Sequence, residues 1–123
     1  MGEETEIKFE GDYVHIIHPK GYEINLESLE ELYSELAELC KKHKCFKILA
    51  ECDSPTRKLQ IHQAFTSANH LSSKLPLIKL TCCFYNHNVD DVSEFFKTVA
   101  YNRGLRVEFF QSKEKALEWL RSL

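Results

Sequence analysis

The sequence predicts an α/β fold built on a mixed, mainly parallel β-sheet with an N-terminal hairpin and four helices. Three observations lead there. Residues 95–120 read as helix, glycine stop, short strand and closing helix, with Gly104 feeding straight into the alternating run Leu105-Arg106-Val107-Glu108-Phe109. Two nearly continuous apolar runs, 46–52 and 77–85, have the pattern of strands buried on both faces. Each is followed by a segment of helical period, and strands alternating with helices imply parallel pairing through right-handed crossovers.

Residues 6–10 alternate, with Ile7 and Phe9 apolar between Glu6, Lys8 and Glu10. Gly11-Asp12 then reads as a two-residue hairpin turn, since glycine supplies the positive φ that a tight turn requires. The return strand runs over 13–18 and ends at Pro19-Lys20-Gly21. Asn25 is a good N-cap for a helix over 26–43, whose inner stripe is Leu26, Leu29, Leu32, Tyr33, Leu36 and Cys40. Early Glu27, Glu30 and Glu31 and late Lys41, Lys42 and Lys44 suit the helix dipole.

The first apolar run breaks at Asp53-Ser54-Pro55-Thr56, where Thr56 is expected to cap a second helix with Ile61, Ala64, Phe65, Ala68, Leu71 and Leu75 facing inward. Pro76 closes that helix, and Asn86-His87-Asn88 is the polar exit from the second apolar run. Val89, Val92, Phe95, Phe96 and Val99 line the third helix. Ser112 caps the fourth, which buries Ala116, Leu117 and Leu120. The expected order is ββαβαβαβα, in one domain spanning residues 1–123.

At 123 residues the chain can bury a proper core without staples. An apolar fraction of 43% and a charged fraction of 28% are ordinary for a globular protein. The formal net charge of −3 supplies no basic excess for a phosphate backbone, so nucleic acid is not an expected partner. No apolar run approaches the ~20 residues of a membrane helix. The start Met1-Gly2-Glu3-Glu4 is acidic rather than basic and then apolar, which speaks against an export signal and for the cytoplasm. Cys40, Cys45, Cys52, Cys82 and Cys83 are odd in number and fall in apolar patterns, as reduced buried thiols do.

The segments 53–59 (Asp-Ser-Pro-Thr-Arg-Lys-Leu) and 95–104 (Phe-Phe-Lys-Thr-Val-Ala-Tyr-Asn-Arg-Gly), then Val107-Glu108-Phe109-Phe110 and Ala116-Leu117-Glu118-Trp119-Leu120, resemble those of small STAS-like proteins. These have the SpoIIAA-like fold of the sporulation anti-sigma-factor antagonists, often grouped as STAS/SEC14-like. The resemblance implies a non-enzymatic regulatory or protein-interaction module. It also implies a Ser or Thr switch, phosphorylated in the loop after a central strand. That loop typically reads Asp-Ser-Ser-Gly; here it reads Asp53-Ser54-Pro55-Thr56, with no glycine and with Arg57-Lys58 following. A wider lipid-binding branch of the superfamily holds apolar ligands.

In an open α/β sheet, ligands sit beyond the carboxyl ends of the strands. That edge should gather Asp53, Ser54, Thr56, Arg57, Lys58, Asn86, His87 and Asn88, the candidate binding or switch loop. Arg57 and Lys58 beside a helix start would favour a small anion, and the alternative function is a binder of an anionic or lipid-like ligand there. Asn102-Arg103-Gly104 lies at the opposite edge and reads as a structural helix end. Tyr101 and Phe110 fall outside the inward pattern and, if exposed, would mark a contact surface with a protein partner or a second copy of the chain.

No catalytic residue is expected, because the chain has no Gly-x-Ser-x-Gly elbow and its four glycines form no phosphate loop. No metal or cofactor is expected either. The six histidines form no i, i+4 pair and show no zinc-type spacing to cysteine, and Cys82-Cys83 is not a CxxC.

Overall fold

The computed structural model describes residues 5–122. The acidic start Met1–Glu4, on which the expectation about export rests, lies outside the described residues. The elements in chain order are β1 (Glu6–Phe9), β2 (Val14–Ile17), β3 (Glu23–Ile24), α1 (Leu26–His43), β4 (Lys47–Asp53), β5 (Thr56–Arg57), α2 (Ile61–Lys74), β6 (Lys79–Tyr85), α3 (Asp91–Asn102), β7 (Arg106–Phe110) and α4 (Lys113–Arg121).

Five strands form one sheet in the order β1-β2-β4-β6-β7. Only β1 runs antiparallel, paired with β2. The other four are parallel, with Ile16 beside Ala50 and Ala50 beside Cys82 across the centre. The expected mixed, mainly parallel sheet with an N-terminal hairpin is what forms, and the described residues hold four helices. Helices α1, α2 and α3 pack side by side on one face, over a core that includes Val14, Ile16, Leu36, Ile48, Leu71, Leu80 and Val99. Helix α4 covers the other face, over Tyr13, Leu49, Cys83, Ala116 and Leu120. Alternation along β4 sends Ile48 and Ala50 to the first core and Leu49 to the second.

Local chemistry explains the helix ends. Asn25 Oδ1 accepts from Ser28 N at 2.8 Å, Asp90 Oδ1 from Ser93 N at 3.0 Å, and Ser112 Oγ from Lys115 N at 3.3 Å. Gly104 at φ +90° follows α3, a backbone conformation that L side chains rarely adopt, and Leu105 N then bonds Ala100 O at 3.0 Å.

Several local expectations are corrected. The hairpin loop is four residues long rather than two, because Phe9 pairs with Val14 and Glu10 N closes on Tyr13 O at 2.9 Å. Thr56 does not cap α2: it lies in β5, and the helix begins at Ile61 with Gln60 as N-cap, whose N–H donates to Gln63 Oε1 at 2.9 Å. The inward face of α2 is Ala64, Ser67, Ala68 and Leu71, while Ile61 and Phe65 are exposed. Small residues hold that face because α2 is flanked by both α1 and α3. Val89 precedes α3 and is exposed.

The second, two-residue parallel sheet of β3 and β5 was not expected. Backbone bonds extend it, from Thr56 N to Tyr22 O at 2.9 Å and from Lys58 N to Ile24 O at 2.8 Å.

Candidate functional site

The loops that leave β2, β4, β6 and β7 share the carboxyl edge of the sheet. Backbone bonds stitch three of them together: Ser54 N donates to Tyr85 O at 2.8 Å, and Gly21 N to Asp53 O at 2.9 Å. Ser54 and Asn86 both turn in the left-handed region, at φ 50° and 57°. Their side chains converge on Asp53, whose Oδ1 accepts from Asn86 Nδ2 at 3.0 Å and Ser54 Oγ at 2.9 Å. Those two bonds, Asn86 foremost, hold the Asp53 carboxyl below the usual range. Asn88 Oδ1 accepts from Gln111 Nε2 at 3.5 Å.

The edge thus gathers Asp53, Ser54 and Asn86 into one polar cluster, while Asn88 bonds Gln111 instead. Arg57 is drawn elsewhere. Its guanidinium pairs with the Asp90 carboxylate at the start of α3 and donates to Leu59 O at 3.0 Å. Burial alone would push the Asp90 carboxyl up. The Ser93 backbone N–H and the Arg57 guanidinium outweigh it, and the carboxyl lies low. Thr56 is exposed on β5.

Beneath the β3–β5 flap lies a cavity of about 90 Å3 between the sheet and helices α1, α2 and α3. On this measure one water needs about 10–15 Å3, so the space takes several water-sized bodies. The sheet lines it with Ile16, Ala50, Leu80 and Phe84, and α1 with Leu29, Leu32 and Leu36. The flap contributes Tyr22, Ile24 and Arg57, and α3 contributes Val92 and Phe96. The Arg57–Asp90 pair links β5 to the N-cap of α3.

The polar groups on the wall are few. His18 is buried, stacks on Tyr22 with ring centroids 4.0 Å apart, and has Nδ1 2.8 Å from Thr5 Oγ1. Burial lowers His18 to about 4, so its ring is neutral at pH 7. Burial pushes the Cys82 thiol up to about 12 and raises the Tyr33 phenol too, while Tyr33 Oη stays 2.8 Å from Ser67 Oγ. Arg57 Nε is buried without a hydrogen-bond partner. The cavity therefore presents apolar walls, the neutral His18 ring and protonated thiol and phenol. Its one guanidinium is already neutralised by Asp90.

Of the sequence candidates, Arg57 and His87 reach this cavity. Sequence reasoning missed His18, Tyr22 and Asp90. Asp90 carried a legible signal, an N-cap residue one turn ahead of an apolar stripe. His18 and Tyr22 carried none, because the flap that buries them forms from strands of two residues. Among the described residues, no group of three or more His, Cys, Asp or Glu side chains is placed to hold a metal ion.

No protein-family model and no curated protein matches the chain. Among solved structures, it is similar to an uncharacterized protein of the DUF3478 family with a SpoIIAA-like fold, from Shewanella loihica PV-4. Identity is 19% over 94% of this chain and 91% of that one, with a TM-score of 0.53. The fold is SpoIIAA-like, the STAS-like architecture that the sequence resemblance implies. Among the described residues, no helix is long and apolar enough to cross a membrane.

Proposed function

We propose that this chain is a non-enzymatic binding module that holds a small lipid-like ligand in the cavity under the β3–β5 flap. The observation that carries this is the cavity itself, an apolar space of about 90 Å3 at the carboxyl edge of a parallel sheet. Close-packed cores seldom leave such space. The protonated Cys82 and Tyr33 fit binding rather than turnover, and five free cysteines fit a reducing compartment such as the cytoplasm.

The test is thermal stabilisation by an apolar ligand such as octanol, compared between the wild type and Ala50→Leu. Ala50 lines the cavity from the middle of β4, so a leucine would occupy it. A ligand at 100 times its dissociation constant stabilises by about 2.7 kcal/mol, which is several degrees for a domain of this size. The expected result is a concentration-dependent rise in Tm for the wild type and none for Ala50→Leu. No rise for the wild type, or an equal rise for both, overturns the reading.

A second reading, the protein-interaction module, is favoured by large apolar side chains left exposed on the outer helices. These are Ile61 and Phe65 on α2 and Tyr101 on α3. The Asp53–Thr56 loop would then be its switch, because a phosphate on Ser54 would replace the hydroxyl that donates to Asp53 and repel that carboxylate. A concentration-dependent dimer that Phe65→Glu and Tyr101→Glu dissolve would support a second copy as partner. A monomer at every concentration would remove that partner.

A further inference from the structure

A second cavity, of about 340 Å3, abuts the first on the side of α4. The two share three wall residues, Phe84, His87 and Phe109. These side chains form a thin aromatic partition. The Phe84 and Phe109 rings are tilted at 6.2 Å, and His87 meets Phe84 edge-on at 5.8 Å. All three are only part-buried. The outer cavity is completed by Val89, Phe110, Gln111 and Lys115, and Lys115 is the one Lys, Arg, Asp or Glu along it.

We infer that the two cavities form one elongated site, for an unbranched apolar chain that ends in a single anionic headgroup. The tail lies in the inner cavity, passes the Phe84–Phe109 partition, and places its headgroup in the outer cavity beside Lys115. This rests on the proposal that the inner cavity holds a ligand, and deepens it by naming the ligand's class.

Charge sets the polarity of insertion. The inner cavity is a poor place for an anion, because Asp90 already occupies Arg57 and His18 is uncharged. Buried charge without a partner is costly, so the headgroup belongs outside. The outer cavity offers an uncommitted ammonium group near the mouth, and the amide of Gln111 as a further donor. The inner space alone is too small for a long chain; the two together are not.

The experiment is a calorimetric titration of the purified protein with straight-chain carboxylates from octanoate to tetradecanoate, and with the matching alcohols. Each added methylene that stays buried should tighten binding about three- to fourfold. Lys115→Glu should weaken dodecanoate about tenfold and leave dodecanol within about twofold, since reversing one exposed charge touches the headgroup alone. Lys115 is exposed on the first turn of α4, so this variant retains the fold. Phe109→Trp, which enlarges the partition, should weaken dodecanoate more than octanol.

Affinity that stays flat with chain length, or a Lys115→Glu effect equal for acid and alcohol, overturns the elongated site. Binding of octanol with no added affinity for longer chains leaves the inner cavity as the ligand site and removes the outer one. Binding of no apolar compound removes both.

Discussion

His15 sits between two carboxylates, with Nδ1 3.0 Å from Glu10 Oε2 and Nε2 2.7 Å from Glu51 Oε1. Tyr85 Oη donates to the other Glu51 oxygen at 2.6 Å, and Lys113 Nζ lies 3.7 Å from Oε1. Burial by itself would push the Glu51 carboxyl up, but Tyr85, His15 and Lys113 outweigh it and the group lies below its usual 4.5. A carboxyl held low in the folded state contributes stability above its unfolded value and loses it as pH falls through the folded one.

His18 works over a different window. Its ring is held at about 4 against an ordinary 6.5, so the unfolded chain binds the proton more readily, and stability falls as pH drops from about 6.5 to 4. The full effect is about 3 kcal/mol. Urea unfolding across pH should therefore show His18→Phe losing the slope between pH 6.5 and 4 and keeping the fall below it. Glu51→Gln should cost about 1–3 kcal/mol at pH 7, with the deficit shrinking below pH 4. Identical pH profiles for wild type and both variants would refute these roles.

Neither role was legible in the sequence. The Glu51–His15 contact exists because β2 and β4 align in parallel with His15 beside Leu49, which brings Glu51 onto the same face as a diagonal neighbour. Register between distant strands is a tertiary property, and no local pattern encodes it. The Asp53–Asn86 bond is different. Both residues were expected at the carboxyl edge because they end consecutive parallel strands.

At the scale of elements, the flap supplies one wall of the inner cavity, through Tyr22, Ile24 and Arg57. Strands β3 and β5 have two residues each and pair only with each other, so few backbone bonds hold them. The Arg57–Asp90 pair is their side-chain tie to α3, and both partners are part-buried. Arg57→Ala should cost about 1 kcal/mol in global stability. Its larger effect should be local, with amide exchange of Thr56 and Lys58 speeding up about tenfold while β4 and β6 are unchanged. Unchanged exchange at Thr56 and Lys58 would show that the pair does not hold the flap.

The long strands and helices were legible because their apolar periods run over several turns or pleats. The flap was not, since two residues carry no period, and Pro55 reads as a break whether or not a strand follows. For α2, the stripe is right at Ala64, Ala68, Leu71 and Leu75, but close contact with helices on both sides turns Ser67 inward and leaves Ile61 and Phe65 exposed.

For the whole molecule, strand order and the side on which each helix packs decide where a ligand could lie. Three helices share one face of the sheet and one covers the other, so the larger core stands where α1, α2 and α3 meet. The cavity lies between that core and the flap, with α1, α2 and α3 all contributing to its wall. The chain order of the long strands and helices could be read from the sequence. The volume could not, because it depends on how twenty side chains from separate elements fail to fill one space.

The most direct measurement is a two-dimensional NMR titration of the isotope-labelled protein with octanol, following the amides and the leucine methyl groups. A ligand held under the flap predicts saturable shifts at Leu29, Leu32, Leu36 and Leu80 and at the amides of Ala50, Arg57 and Phe96, with α4 beyond its first turn unmoved. Shifts confined to the exposed residues Ile61, Phe65 and Tyr101, or no saturable shift at all, would contradict a ligand site in the cavity.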